Sequence, residues 1–243
     1  MTGTMPEFDF AGQVVLVTGG SRGIGHAIAS AFADAGANVH ITGTRTAADG
    51  YADDLSRFAY HQCRLENEAE RAALSESFDT LDILVNNAGT SRDDEYQIEG
   101  FLRVMDVNIT AVADLCFRFR DRLAANAGAI INIGSVAGSV AVRENPGYTA
   151  SKHAENGLTK VLADKWARLG IRVNGVAPGF IVTRISEWSR LDAETERYFQ
   201  RQIPMRRFGQ PSEVAPVVLF LASAGASYLC GHTVQIDGGY LLR

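Results

Sequence analysis

Tyr148 and Lys152 are four residues apart in a stretch of helical period, which places both side chains on one helix face. An ammonium beside a phenol favours the phenolate. It is expected to draw the tyrosine down from its ordinary pKa of ~10, toward the range in which a phenol exchanges a proton with a carbonyl oxygen. Ser135 follows an apolar run, Ala129 to Ile133, that reads as a strand, and the carboxyl end of a parallel strand is where α/β sheets place their ligands. Its hydroxyl can hydrogen-bond the same oxygen. Tyr-x-x-x-Lys alone occurs in many helices by chance, so the chemistry rests on its combination with Ser135 and with a glycine-rich turn far upstream.

That turn, Thr18-Gly19-Gly20-Ser21-Arg22-Gly23-Ile24-Gly25, joins a strand at Val14–Thr18 to an Ala-rich helical stretch. Glycines at 19, 23 and 25 allow a tight turn that brings backbone N–H groups against a diphosphate at the positive end of the helix. The spacing differs from G-x-G-x-x-G, and a glycine cluster after a strand can also be a bare turn. The next strand ends Thr42-Gly43-Thr44-Arg45. It offers no carboxylate to grip a free ribose 2′-hydroxyl, whereas Arg22 and Arg45 can pair with a 2′-phosphate. The reading favours NADP(H) over NAD(H), the alternative being that both arginines are solvated surface residues.

These groups must be positioned by a parallel sheet. Short runs rich in β-branched residues alternate with helical stretches from beginning to end. Strands are expected at Val14–Thr18, Val39–Thr42, Ile83–Asn86, Ala129–Ile133, Ile171–Val176 and Thr233–Ile236, with a weaker one at Phe58–Arg64. Helices are expected near Ile24–Ala35, Glu66–Phe78, Asn108–Ala125, Tyr148–Leu169 and Ser212–Ser223, with Gly36 and Gly170 as C-caps. The fold class is α/β, a Rossmann-type doubly wound parallel sheet with helices on both faces, and residues 1–243 form a single domain. Hydrophobic residues make up 46% and charged residues 21%, which excludes a disordered chain and leaves enough apolar surface for a core. The formal charge of −5 argues against nucleic acid as a partner, and no run is long and apolar enough for a membrane span. Cys63, Cys116 and Cys230 are far apart and lack metal-ligand spacing, so neither a metal site nor a disulfide framework is expected. A small-molecule substrate and a cytoplasmic location are the expectations that remain.

Through Thr18-Gly19-x-x-x-Gly23-Ile24-Gly25, Asn86-Asn87-Ala88-Gly89, Asn108, Ser135, Tyr148-x-x-x-Lys152 and Pro178-Gly179, the chain resembles the short-chain dehydrogenase/reductase family over nearly its whole length. The thirteen residues from Ser135 to Tyr148 are also the family's usual separation. The resemblance implies a seven-stranded Rossmann sheet, a nicotinamide cofactor, and hydride transfer between it and a carbonyl or secondary alcohol. It further implies that Tyr148 is the acid/base, Ser135 positions the substrate oxygen, Lys152 binds the nicotinamide ribose, and Asn108 holds a water linking Lys152 to solvent. By the same resemblance, Gly19, Ser21, Arg22, Gly23, Ile24, Gly25, Arg45, Leu65, Asn87, Ala88, Gly89, Ile133, Pro178, Gly179, Ile181 and Thr183 line the cofactor. A homotetramer is implied, with a dimer next, assembled through the helices near Asn108–Ala125 and Tyr148–Leu169 and the last strand.

Within the family the chain is most similar to 3-oxoacyl-[acyl-carrier-protein] reductases, through Val173–Phe180 and the ending Gly231–Gly239. Three departures bear on the substrate and cofactor. Arg64 precedes Leu65 where adenine-binding relatives place Asp or Asn. Asn126-Ala127-Gly128 and Leu169-Gly170, with Arg168 as the only nearby cation, lack the basic residues that would attract an acidic carrier protein. The stretch from Gly89 to Asn108 is short, which could open the substrate entrance. Together they favour a free or CoA-linked small carbonyl substrate, a small ketone or 3-oxoacyl thioester, over a carrier-bound acyl chain. Phe180, Trp188, Tyr198 and Phe199 flank a lid-like segment and can line an apolar pocket or simply pack the lid, while Arg143, Arg184 and Arg190 read as solvated. An NAD(H)-preferring alcohol dehydrogenase and a non-catalytic nucleotide sensor on the same fold are the competing functions.

Overall fold

The computed structural model describes residues 8–183 and 192–242. Seven strands form one all-parallel sheet: β1 (Val14–Val17), β2 (Asn38–Gly43), β3 (Ala59–Gln62), β4 (Ile83–Asn86), β5 (Ala129–Ile133), β6 (Arg172–Pro178) and β7 (Thr233–Ile236). Their spatial order is β3-β2-β1-β4-β5-β6-β7. The chain moves outward from β1 through β2 to β3, then returns to β1's other side with β4. That reversal opens a crevice beyond the carboxyl ends of β1 and β4.

The strands are short apolar runs because both faces are covered. Val15, Val17, Ile83, Val85, Ile131 and Ile133 point to one core with α1 (Gly23–Asp34) and α7 (Pro211–Ala222). Leu16, Leu84, Ile130 and Val173 point to the other, with α2 (Glu68–Glu76), α4 (Ala111–Ala125) and α5 (Pro146–Trp166). Alternate side chains thus fill opposite layers, as the two-residue period of a strand requires. Gly36 and Gly170 take the left-handed backbone that closes their helices, at φ +88° and +80°.

Two helices depart from the expectation. α3 (Ile98–Met105) fills the short stretch after Gly89, and a widened π turn, Asp106–Thr110, joins it to α4, which therefore begins after Asn108. The stretch is not an open gap: Gly100 and Val104 of α3 are buried, and Phe101 packs beside Gly147 of α5. α3 turns Phe101, Val104 and Met105 inward, but its apolar Ile98 and Leu102 face outward, which blurs the period over so short a helix. α6 (Ala193–Gln202) follows Asp192, whose carboxylate accepts the N–H groups of Glu194 and Thr195.

Candidate active site

The crevice floor is tied together by short polar contacts. Thr18 Oγ1, at the end of β1, accepts the N–H groups of Asn87 (2.9 Å) and Ala88 (3.1 Å). Asn87 Nδ2 donates back to the carbonyls of Thr18 (2.9 Å) and Gly19 (3.2 Å). Gly25 lies against this lattice so closely that a Cβ would be 2.4 Å from both Asn87 Nδ2 and the Gly19 carbonyl oxygen. The first turn of α1 has no side-chain cap and no acidic residue, which leaves its N–H groups directed at the crevice. That turn, with Ser21 and Ile24, suits a diphosphate, and Thr183 faces Gly23 across the cleft, its Cγ2 3.6 Å from where a Cβ of Gly23 would stand.

Lys152 is at the other end. On α5 it is 4% exposed, and its Nζ donates to the Ile133 carbonyl at the end of β5 (2.8 Å) and to Glu155 Oε2 (2.7 Å). The same Nζ lies 5.9 Å from the centre of the Tyr148 ring, and Gly89 leaves space beside it, a Cβ there falling 3.9 Å from Nζ. Burial by itself would lower the Lys152 pKa. The charge of Glu155, that of Tyr148 and the Glu155 hydrogen bond overcome this and raise it, so the lysine is held as an ammonium. Burial raises the Glu155 carboxyl against the pull of Lys152.

Ser135 caps the short 3-10 turn Val136–Gly138; its Oγ accepts the Ala137 N–H (3.1 Å), which leaves its own hydroxyl hydrogen as a donor. Asn156 of α5 donates to the Gly138 carbonyl (3.0 Å), fixing the Ser135 turn to the helix that carries Tyr148 and Lys152. Asn108, in the π turn and fully buried, accepts the Thr90 N–H (2.8 Å) and donates to the Thr90 carbonyl (2.9 Å) and Ser151 Oγ (3.1 Å). Its side chain is occupied as a clamp between the loop after β4 and α5.

Not every expected cofactor residue presents its side chain to the crevice. Leu65 is buried among Leu74, Phe78 and Leu81, so any contact with adenine falls to its backbone. The Ile133 and Ile181 side chains lie in the core as well, Ile133 contributing its carbonyl to Lys152. Pro178 ends β6 and Gly179 follows it, where a Cβ would stand 2.9 Å from Asp237 Cα. Arg22 and Arg45 are exposed at the mouth. Phe180 packs with Phe199, Phe208 and Tyr240, the lid-packing alternative, whereas Arg184, Trp188 and Arg190 lie outside the described residues.

Three working residues escape the motif reading. Glu155 shares the buried stripe of α5 with Ser151 and Lys152, and an acidic residue three positions after the lysine was the available signal. Glu95 is 2% exposed and accepts the backbone N–H groups of Tyr148 and Arg92 at 2.8 Å, anchoring the start of α5. Tyr51 lies at the end of β2, and nothing local in the sequence marks it.

The family profile described as enoyl-(acyl carrier protein) reductase, a short-chain dehydrogenase/reductase profile, matches residues 19–241. The chain belongs to the short-chain dehydrogenase/reductase family. It is 38% identical over 256 residues to a rhamnolipids biosynthesis 3-oxoacyl-[acyl-carrier-protein] reductase of Pseudomonas aeruginosa, covering 98% of this chain and 99% of that one. It is 35% identical over 250 residues to a 2-dehydro-3-deoxy-D-gluconate 5-dehydrogenase of Bacillus subtilis, with 97% of each covered. Among solved structures, a gluconate 5-dehydrogenase from Burkholderia cenocepacia in complex with NADP and tartrate superimposes with a TM-score of 0.86 at 31% identity, over 98% of this chain and 99% of that one. This short-chain dehydrogenase/reductase is therefore an NAD(P)-dependent oxidoreductase acting on CH–OH or carbonyl groups. Among the described residues no cluster suits a metal ion, and no helix is long and apolar enough to cross a membrane.

Proposed function

We propose that the chain interconverts a small carbonyl compound and its secondary alcohol with NADP(H), Tyr148 acting as the acid/base. The observation that carries this reading is the buried Lys152 ammonium, pinned to the end of β5 and facing the Tyr148 ring beside the opening at Gly89. When bound, the nicotinamide would supply or take up the hydride at the carbonyl carbon. Ser135 donates a hydrogen bond to the carbonyl oxygen, and the Tyr148 hydroxyl delivers the proton that the oxygen takes on as an alkoxide develops. Lys152 stabilises the negative charge left on Tyr148 and binds the nicotinamide ribose. Both amide hydrogens of Asn108 are given to Thr90 and Ser151, so its side chain acts as a clamp between the loop after β4 and α5.

Support for NADP(H) over NAD(H) comes from exposed Arg22 and Arg45 and the absence of a carboxylate at the end of β2. The relatives act, by name, on 3-oxoacyl-[acyl-carrier-protein] and on a sugar acid, and the missing cations before β5 and β6 favour a free or CoA-linked small carbonyl substrate over a carrier-bound acyl chain. Exposed Phe117, Val161 and Leu169, on α4, α5 and the turn after α5, support a homotetramer built on those helices, which light scattering tests. Free cysteines fit the reducing cytoplasm.

The test is an absorbance screen of nicotinamide oxidation and reduction against ketones, 3-oxoacyl thioesters, polyols and sugar acids, with wild type and Tyr148→Phe. Turnover by wild type that drops about 10²–10⁴-fold in the variant, with cofactor still bound, supports the assignment. Full activity in Tyr148→Phe overturns it, and cofactor binding without turnover of any substrate points to a sensor.

A further inference from the structure

We propose that Tyr51 is a specificity-determining residue of the cofactor site, whose hydroxyl holds the donors a ribose 2′-phosphate would need and so opposes the pull of Arg22 and Arg45. The inference deepens the cofactor reading above and rests on it for the location of the ribose. In a Rossmann sheet the end of β2 faces the adenosine ribose. Here β2 ends at Gly43, and the chain runs through a 3-10 turn, Ala48–Gly50, that brings Tyr51 back over that end. The Tyr51 hydroxyl oxygen accepts the N–H groups of Thr44 (2.9 Å) and Arg45 (3.1 Å) and hydrogen-bonds with Ser21 of the glycine turn. It sits 2.4 Å from where a Cβ of Gly43 would be, so only glycine at 43 admits it.

Two convergent backbone N–H groups and a nearly buried serine hydroxyl are a donor set for a phosphate. The Arg45 guanidinium lies over the Tyr51 ring at 5.0 Å, so the cation that would neutralise the phosphate is stacked on the group that fills its place. A dinucleotide with a 2′-hydroxyl can share hydrogen bonds with the phenol. One with a 2′-phosphate must displace it, together with Arg45.

Charge adds to the displacement. Burial would raise the Tyr51 pKa, but its hydrogen bonds with Tyr60, the Arg45 N–H, Ser21 and Thr44 outweigh it and bring the phenol down to about 8. Tyr60, on β3, is pushed upward by its own burial and by Tyr51, so it stays neutral, its hydroxyl donating to the Arg45 carbonyl (2.5 Å). The charged group against Tyr51 is Arg45, whose guanidinium lies over its ring; exposed Asp49 stands two residues before it in the 3-10 turn, and Arg22 adjoins Ser21 on the glycine turn. Above pH 8 the phenolate stands where a carboxylate would, and it repels a 2′-phosphate.

The experiment titrates intact protein with NADPH and NADH by nicotinamide fluorescence between pH 7 and 9, above the second ionisation of the phosphate at about 6. In wild type the ratio of NADPH to NADH affinity is expected to fall about tenfold across this range. In Tyr51→Phe the ratio at pH 9 should be about tenfold higher than wild type and flat with pH. An unchanged ratio and slope in Tyr51→Phe overturns the inference. Ser21→Ala, which keeps the Tyr51 ring and removes one hydrogen bond to its oxygen, should move the midpoint of the wild-type fall to higher pH; should Tyr51→Phe not fold, an unmoved midpoint decides against the inference. The Arg22→Ala/Arg45→Ala double variant tests the underlying reading separately. If its ratio equals that of wild type, the arginines do not select NADP(H), whatever Tyr51 does.

Discussion

At the end of the crevice proposed to hold the nicotinamide, Lys152 and Glu155 are a charged pair almost wholly removed from water, with side chains 4% and 2% exposed, on a helix of 21 residues braced by Glu95 and Asn156. At the end proposed to hold the adenosine, Tyr51, Arg45 and Arg22 stand near solvent, on loops whose one regular element is a three-residue turn. The difference matches the tasks. Proton and hydride transfer need atoms held in register, which strands and long helices supply. Discrimination between two cofactors needs only a difference in charge and hydrogen bonding at one ribose, which loop side chains can set.

The comparison is most sharply broken at the lysine. Lys152→Met should abolish turnover and also destabilise the fold by about 3–5 kcal/mol, because Glu155 is left buried without a partner. Urea unfolding should then show the Lys152→Met/Glu155→Leu double variant regaining most of that stability but none of the activity. If the single variant unfolds like wild type, the pair is not dry. Gly25→Ala comes next: its methyl meets the Gly19 carbonyl and Asn87, and a loss of about 1–3 kcal/mol with weaker binding of both cofactors is expected from thermal shift and fluorescence titration. Thr18→Val, which leaves the Asn87 and Ala88 N–H groups without their acceptor, should cost about 1–3 kcal/mol, while the ratio of the two cofactor affinities stays as in wild type.

The smallest effect separates the two halves by pH. His40 and His61, on β2 and β3, hydrogen-bond ring to ring at 2.9 Å beside Phe78, and burial lowers both pKa values from 6.5, with the charge of His40 adding to the effect at His61. The folded state binds these protons more weakly than the unfolded chain. The stabilisation is therefore full above about pH 6.5 and is lost as pH falls below it, by at most about 1.4 kcal/mol per pH unit for each ring. Denaturation midpoints between pH 7.5 and 5.5 should show the decline, and His61→Gln should make it shallower. An equal slope in the variant would remove the histidine pair from the account.

Much of the sheet was legible because each strand carries its signal locally. Ile83–Asn86, Ala129–Ile133 and Thr233–Ile236 agree with the observed limits to the residue, since apolar runs between turn residues leave little room to slide. α3 was not legible. Its inward face carries Phe101, Val104 and Met105 beside Gly100, but Ile98 and Leu102 face solvent, and eight residues are too few for the period to stand out. At the site, Ser135, Tyr148 and Lys152 were readable because one helix and one strand end fix their spacing. Leu65, expected at the cofactor, instead turns its side chain into the core beneath α2, a direction that no spacing encodes.

By itself the sequence determined the alternation of strand and helix, the glycine turn after β1 and the lysine one turn beyond Tyr148, all of them consequences of backbone geometry and side-chain period over a few neighbouring residues. Only the tertiary structure decided that Glu155 meets Lys152 in a dry interior, that Glu95 crosses from the loop before α3 to the start of α5, and that Tyr51 closes on the end of β2. The physical reason is that local spacing sets which side chains share a face, whereas burial, partner and charge state depend on what the rest of the chain packs against that face.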